Sequence, residues 1–244
     1  MPAAPKPTAR GALILALVVY FLMKGFIPFG GTILYPLTLL ATWVHEMGHG
    51  MTALLLGGRF SSLEVFANGS GLAYTATSHP WQSGLTAAGG LLAPPIVGAV
   101  LLATSRGPRR ARGLLAALCV AILVSLAIWV RSLTGWIALP IVAVVLAAFV
   151  RWDAPRKRMV FAQLIGVTLA IDTVSGSGYL FSANVTVDGT ARPSDITNVA
   201  QAFGGSYVLW GLLLGAVSFG LLALGLFLAW RSDPQTVKKP ARGA

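Results

Sequence analysis

One apolar run, from about Thr32 to Leu56, contains a compact polar group, His45-Glu46-Met47-Gly48-His49. The length and composition of the run are typical of a membrane-crossing helix. Residues four apart lie on one face of a helix, so His45 and His49 can offer imidazole nitrogens to one cation. This is the H-E-x-x-H arrangement of zinc sites, in which Glu46 can take a proton from a water at the open coordination position.

A chance origin of this motif is the weaker interpretation. The chain has three histidines among its 244 residues, and random order would give the motif roughly once in a few thousand shuffles. Imidazole and carboxylate groups at membrane depth are costly unless they are paired or bound to a metal. The motif therefore predicts a metal site.

The composition predicts a membrane protein. Hydrophobic residues make up 56% of the chain and charged residues 10%, and the mean hydropathy is +0.77, whereas about a quarter of the residues of a soluble domain are charged. We expect an all-α polytopic fold with six or seven transmembrane helices. The predicted organisation is a disordered N-terminus over residues 1–10, one transmembrane domain over 11–230 and a flexible basic tail over 231–244.

The net charge of +11 does not indicate a nucleic-acid partner. The Lys and Arg residues lie at the ends of predicted spans and in short loops, where membrane proteins carry the charges that set their orientation. No basic face with interleaved aromatic residues is present for stacking bases. Cys119 is the only cysteine, which excludes an internal disulfide and a thiolate zinc cluster.

A β-hairpin is predicted directly after the motif-bearing helix. Residues 59–80 have strand-like segments on either side of Asn68-Gly69-Ser70-Gly71, which is a hairpin signal. The edge of such a hairpin can hold an extended peptide through main-chain hydrogen bonds. An ordinary surface hairpin is the equal alternative. His79 lies at a span boundary, which favours an interfacial role over metal binding.

The third ligand of the predicted site is open between two aspartates. Asp172 is the one acid besides Glu46 in the interior of a predicted span, and a zinc with two His ligands needs one more protein ligand. Asp172 is therefore the preferred candidate, and a solvated carboxylate at a helix end is its alternative. Asp195 follows Ser194 at the start of a predicted short helix over 195–202, where capping explains it most simply; a ligand role for Asp195 is the second possibility.

The distribution of basic residues predicts an orientation. The loops 106–112 and 151–158 and the tail from Arg231 are rich in Lys and Arg and fall on alternate connections, which indicates the cytoplasmic side. The hairpin and the loop 176–206 then lie outside. With seven spans, Lys6 and Arg10 would also lie outside, against the rule; the conflict disappears if the first apolar run does not fully cross.

Several motifs together resemble a known family. They are His45 to Gly50, Gly57-Gly58, Asn68 to Gly71, Ala88 to Pro95, Asp172 and Ser194-Asp195. In this order they resemble the site-2 protease family of intramembrane zinc metalloproteases, and its small peptidase-B-like branch of bacteria and fungi most closely. The resemblance covers most of residues 32–205. The zinc motif is specific, whereas each glycine motif is weak alone.

The resemblance implies a zinc metalloendopeptidase in a bacterial cell membrane that cleaves membrane-embedded or membrane-proximal peptides. His45, His49 and a distant Asp would bind Zn²⁺, and Glu46 would activate water. The Leu-Asp-Gly of other members is Ile171-Asp172-Thr173 here, so Asp172 and Asp195 both stay candidates. Members with known topology place the site toward the cytoplasm, in conflict with the charge distribution. The alternatives are a non-catalytic transporter, a metal-binding regulatory protein, or a membrane hydrolase with another substrate class.

Overall fold

The computed structural model describes the backbone of residues 9–175 and 180–231 and the side chains of residues 9–171 and 180–231. The described residues form eight helices and two β-hairpins. The helices are α1 (Ala9–Gly25), α2 (Gly30–Leu55), α3 (Pro80–Thr104), α4 (Pro108–Ile128), α5 (Leu133–Arg151), α6 (Pro155–Ser175), α7 (Asp195–Phe203) and α8 (Tyr207–Trp230). The strands are β1 (Arg59–Val65), β2 (Gly71–Ala76), β3 (Asn184–Val187) and β4 (Thr190–Pro193).

Helices α1 and α2 are joined by a sharp bend of 117°. Phe29, directly before α2, has a φ of 60° in the left-handed region. Gly30 follows, and a Cβ there would lie 1.8 Å from the carbonyl oxygen of Met23. The bend therefore requires glycine at position 30, because a side chain would collide with the last turns of α1.

Helix α3 is the centre of the bundle and packs against α2, α6, α7 and α8. Its contacts with α2 depend on small residues. A Cβ on Gly48 of α2 would lie 2.5 Å from the Cβ of Ala93, and one on Gly89 of α3 would lie 2.1 Å from the hydroxyl of Thr52. The Gly-rich segment of α3 therefore packs directly against the motif helix. α3 continues as one helix through Pro94 and Pro95.

The first hairpin is the one predicted from the sequence, with β1 and β2 antiparallel. It is fixed to the bundle by Leu63, whose N–H donates to Trp129 O at 2.9 Å and whose carbonyl accepts from Arg131 N at 2.9 Å. These bonds occupy the outer edge of β1. Because Leu63 uses both its main-chain groups on that side, its cross-strand partner Ala73 directs its own groups to the outer edge of β2.

The second hairpin, β3 and β4, was not predicted. Its strands are antiparallel and are joined by Asp188 and Gly189, both with positive φ, 48° and 76°. This is the geometry of a two-residue type I′ turn. Asp-Gly between alternating β-formers is a strong hairpin signal, although the polar, Gly- and Ser-rich composition of residues 176–206 favours a loop.

The described helices do not confirm the predicted six or seven spans. Four of them, α3, α4, α5 and α8, have the length and hydropathy of a membrane span, and the bent pair of α1 and α2 can form a fifth. α1 begins beside the end of α8, because Arg10 Nε donates to Trp230 O at 2.8 Å. Helices α1 and α2 thus form one bent element and not two straight spans. The start of α1 and the end of α8 lie at the same end of the molecule.

Candidate metal centre

The two histidines of the motif lie on one face of α2, as their spacing predicts. Their imidazole rings are 4.7 Å apart between centroids and nearly perpendicular. The two Nε2 atoms lie 3.0 Å from each other. An uninterrupted helix through residues 45–49 is sufficient for this arrangement, because residues four apart are vertical neighbours.

A carboxylate from the far end of the chain completes the cluster. Asp195 Oδ2 lies 3.0 Å from His45 Nε2 and 3.4 Å from His49 Nε2. Asp195 is the first residue of α7, which Ser194 caps by accepting from Thr197 N. Since Ser194 performs the capping, the Asp195 side chain is directed to the histidines instead. Among the described residues, these three can hold a metal ion, with ligand atoms within 4.8 Å of one another.

The nitrogen of His49 that faces the cluster is fixed by a hydrogen bond on the other side of its ring. His49 Nδ1 lies 2.8 Å from the carbonyl oxygen of Thr86. A carbonyl can only accept, so Nδ1 carries the proton and donates it. In the neutral ring, Nε2 then has its lone pair directed into the cluster, which is the tautomer that a metal requires.

The donor set suits zinc in both chemistry and size. Two imidazoles and one carboxylate are a common protein ligand set of catalytic zinc sites. At zinc–ligand distances near 2.0–2.1 Å, tetrahedral ligands lie about 3.3 Å apart, and the three contacts here are 3.0, 3.0 and 3.4 Å. Burial raises the pKa of the Asp195 carboxyl, but attraction by His49 and hydrogen bonds from both histidines outweigh it and hold that pKa well below its usual range.

Glu46 is buried beside the cluster, with 5% of its surface exposed. Ala73, on the outer edge of β2, lines the same cavity as Glu46. Gly71 of the same strand lies directly against the Glu46 carboxylate, and a Cβ there would be 2.6 Å from Glu46 Oε1. The first hairpin therefore positions the carboxylate of the motif as well as covering α2.

Two cavities meet at the cluster and together form a groove. His45, Glu46, Gly71, Val185 and Val187 line both of them. The first, of about 290 Å³, has a mainly apolar wall to which Ala41, Leu91, Pro94 and Leu180 contribute. The second, of about 270 Å³, has a polar wall that includes Thr75, Ser83, Thr86, Arg192 and Asn198. We call these the apolar half and the polar half of the groove.

One hydroxyl in the polar half has no partner. Thr86 is buried, with 5% of its surface exposed, and its Oγ1 makes no hydrogen bond within the described part of the chain. The carbonyl of the same residue binds His49. A buried hydroxyl without a partner is costly, so this one is available to a molecule that enters the groove. The sequence offered no signal for Thr86.

The remaining predicted site residues are placed as follows. Asp172 lies in the last turn of α6, and its side chain is outside the described residues. His79 is the residue before α3, where its N–H donates to Gln82 Oε1 at 2.9 Å. This boundary position agrees with the interfacial role predicted for His79.

Comparisons with known proteins place the chain in a family. The sequence profile of the Peptidase M50B-like family matches residues 11–225. No curated protein and no solved structure matches the chain. The matched range contains the motif helix, both hairpins and Asp195, and it agrees with the site-2 protease resemblance of the motifs. The chain therefore belongs to the Peptidase M50B-like family and is a multi-pass integral membrane protein of a peptidase family.

Proposed function

We propose that the protein is an intramembrane zinc metalloendopeptidase with His45, His49 and Asp195 as ligands and Glu46 as general base. The observation that carries this proposal is the convergence of the three ligand atoms beside the buried Glu46. The family match supports a peptidase. Asp195 replaces the sequence-based preference for Asp172 in this proposal, because its carboxylate lies within 3.4 Å of both imidazoles.

When zinc is bound, it supplies a Lewis acid that acidifies water and polarises a carbonyl. The residues of the chain do the rest. Glu46 accepts the proton of the attacking water and then delivers it to the leaving amide nitrogen as the carbon–nitrogen bond breaks. Gly71 packs directly against the Glu46 carboxylate and keeps it beside the groove, and the Thr86 carbonyl holds His49 in its required tautomer.

The groove suits an extended peptide rather than a helix. The outer edge of β2 supplies Gly71, Ala73 and Thr75 to its wall, and β3 contributes Val185 and Val187. The amides of a helix are bonded internally and offer no free backbone, so a membrane-embedded substrate must unwind locally before it enters. Its strand would then bond to the edge of β2, as peptides add to exposed sheet edges.

The test is a comparison of wild type and Glu46→Gln. We expect Glu46→Gln to retain zinc and to lose cleavage of a membrane-anchored reporter peptide, because the amide cannot accept the proton. His45→Ala should lose both zinc and cleavage. Retained cleavage in Glu46→Gln would remove the general-base assignment. Bound zinc in a wild-type protein that cleaves no peptide would favour the non-catalytic alternative.

A further inference from the structure

The described part of the chain carries its positive charge at one end. The end of α3 packs against the middle of α6, since a Cβ on Gly166 would meet side-chain atoms of Leu101 and Leu102 at 3.1 Å. The two helices are antiparallel, because Gly98 of α3 meets Ala170 of α6, so the start of α6 lies beyond the end of α3. The end of α8 reaches the same level, and Arg10 bonds to Trp230 there. We call this the basic end. It holds ten Lys or Arg residues against one acid, Asp153; the ten are Arg10, Arg106, Arg109, Arg110, Arg112, Arg151, Arg156, Lys157, Arg158 and Arg231.

The opposite end contains the metal centre, the second hairpin and the base of the first hairpin, whereas the tip of the first hairpin lies along α2, where Tyr35 donates to Ala67 O and Thr42 donates to Gly69 O. The start of α3 lies at this opposite end, with the Thr86 carbonyl on His49, and so does the start of α8, where a Cβ on Gly211 would touch Leu180 O. We call this the groove end. Its described residues include three basic ones and, besides buried Glu46, three acids; these are Arg59, Arg131, Arg192, Glu64, Asp188 and Asp195. Lys24, in the α1–α2 bend, is counted at neither end.

The two ends are separated by about the thickness of a membrane. Nineteen residues of continuous α3 and its C-terminal cap separate Thr86, at the metal centre, from Ser105, where the basic loop begins. At 1.5 Å per residue this distance is about 28 Å, and the hydrocarbon core of a bilayer is about 30 Å thick. When the basic end lies at one membrane surface, the metal centre therefore lies close to the other surface.

We infer that the groove opens at the non-cytoplasmic surface of the membrane, and that the protein cuts substrates in an extended segment at that boundary. Lys and Arg residues in short loops are retained on the cytoplasmic side. Ten basic residues at the basic end against three at the groove end is a strong bias. The second part of the inference rests on the proposed function, whereas the orientation stands without it. The groove agrees with a boundary position, because its apolar half suits the membrane-embedded side of a substrate and its polar half the hydrated side.

Cysteine labelling of the full-length protein in intact cells tests the orientation. The background is Cys119→Ser, which removes the only cysteine. Single cysteines are then introduced at Ser78, which is exposed just before α3, at Thr190, which is exposed in the second hairpin, and at Gly107 and Asp153 at the basic end. A Cβ on Gly107 meets no atom within 4 Å. Each protein is treated with a membrane-impermeant maleimide before and after permeabilisation, and denatured protein gives the total label.

We expect the Ser78 and Thr190 positions to be labelled equally before and after permeabilisation. The Gly107 and Asp153 positions should be labelled only after it. The opposite pattern, with the basic end accessible in intact cells and Ser78 and Thr190 protected, would overturn the inference. Access of the reagent to both ends in intact cells, or to neither of the two groove-end positions before permeabilisation, would also contradict it. Zinc content of each variant confirms that the fold is retained.

A pair of reporter substrates tests where cleavage occurs. Each is a single-span protein with the same extended segment, placed at the non-cytoplasmic boundary in one and at the cytoplasmic boundary in the other. The inference expects Glu46-dependent cleavage of the first only, and cleavage of the second alone would contradict it. If neither is cut while the labelling pattern holds, the proposed function fails and the orientation stands.

Discussion

His45 and Asp195 are 150 residues apart in the chain, yet His45 Nε2 and Asp195 Oδ2 lie 3.0 Å from each other. The contact joins α2 to the start of α7. α7 in turn packs on α3, where a Cβ on Gly84 would meet the Cβ of Ala202 at 2.4 Å. The metal centre is thus assembled across the bundle, and α3 is the element that holds both of its sides.

Gly90→Ala should disrupt the metal centre from the α3 side. A Cβ at this position would lie 2.2 to 2.5 Å from three atoms of the His49 ring, so the imidazole must move away from its position on the Thr86 carbonyl. Because displacing a fixed ligand weakens metal binding, we expect zinc affinity to fall by about tenfold or more. Competition with a chromogenic chelator measures it. Gly113→Ala is the matched control, since its Cβ would meet nothing within 4 Å. An equal loss of zinc affinity in both variants would contradict the role of Gly90 in holding His49.

Gly71→Ala should damage the general base and leave the metal in place. Its Cβ would lie 2.6 Å from Glu46 Oε1 and 2.7 Å from Thr42 Cγ2, whereas none of the three atoms nearest to it belongs to a metal ligand. We expect zinc content close to that of wild type together with a large loss of turnover. Measuring both on the same preparation separates this result from the one expected for Gly90→Ala. Unchanged turnover would show that the position of Glu46 is not critical.

Thr86→Val should separate stability from activity. The hydroxyl is buried without a partner among the described residues, and replacing such a group by a methyl of similar size is neutral or stabilising. We therefore expect a thermal midpoint no lower than that of wild type in detergent. If entering substrate uses the hydroxyl, turnover falls in Thr86→Val and is retained in Thr86→Ser. A lower midpoint for Thr86→Val would contradict the unpartnered state of this hydroxyl.

The sequence predicted the parts of this protein that depend on local structure. The pairing of His45 and His49 needs only a helix, and the first hairpin needs only Asn68-Gly69 between β-forming segments. Asp195 could be named as a candidate, but not preferred, because its position depends on how the chain returns across α3 after α6. The span count was obscured for a similar reason, since hydropathy does not show the 117° bend between α1 and α2.

The most direct test of the central claim is the zinc content of purified full-length variants, measured by elemental analysis. Asp195→Ala is compared with Asp188→Ala, a carboxylate of the second hairpin outside the cluster, and with Asp172→Ala, the other candidate. We expect one zinc per chain in wild type, Asp188→Ala and Asp172→Ala, and loss of zinc in Asp195→Ala, because only Asp195 would complete the ligand set. Full zinc retention in Asp195→Ala with loss in Asp172→Ala would contradict the proposed centre.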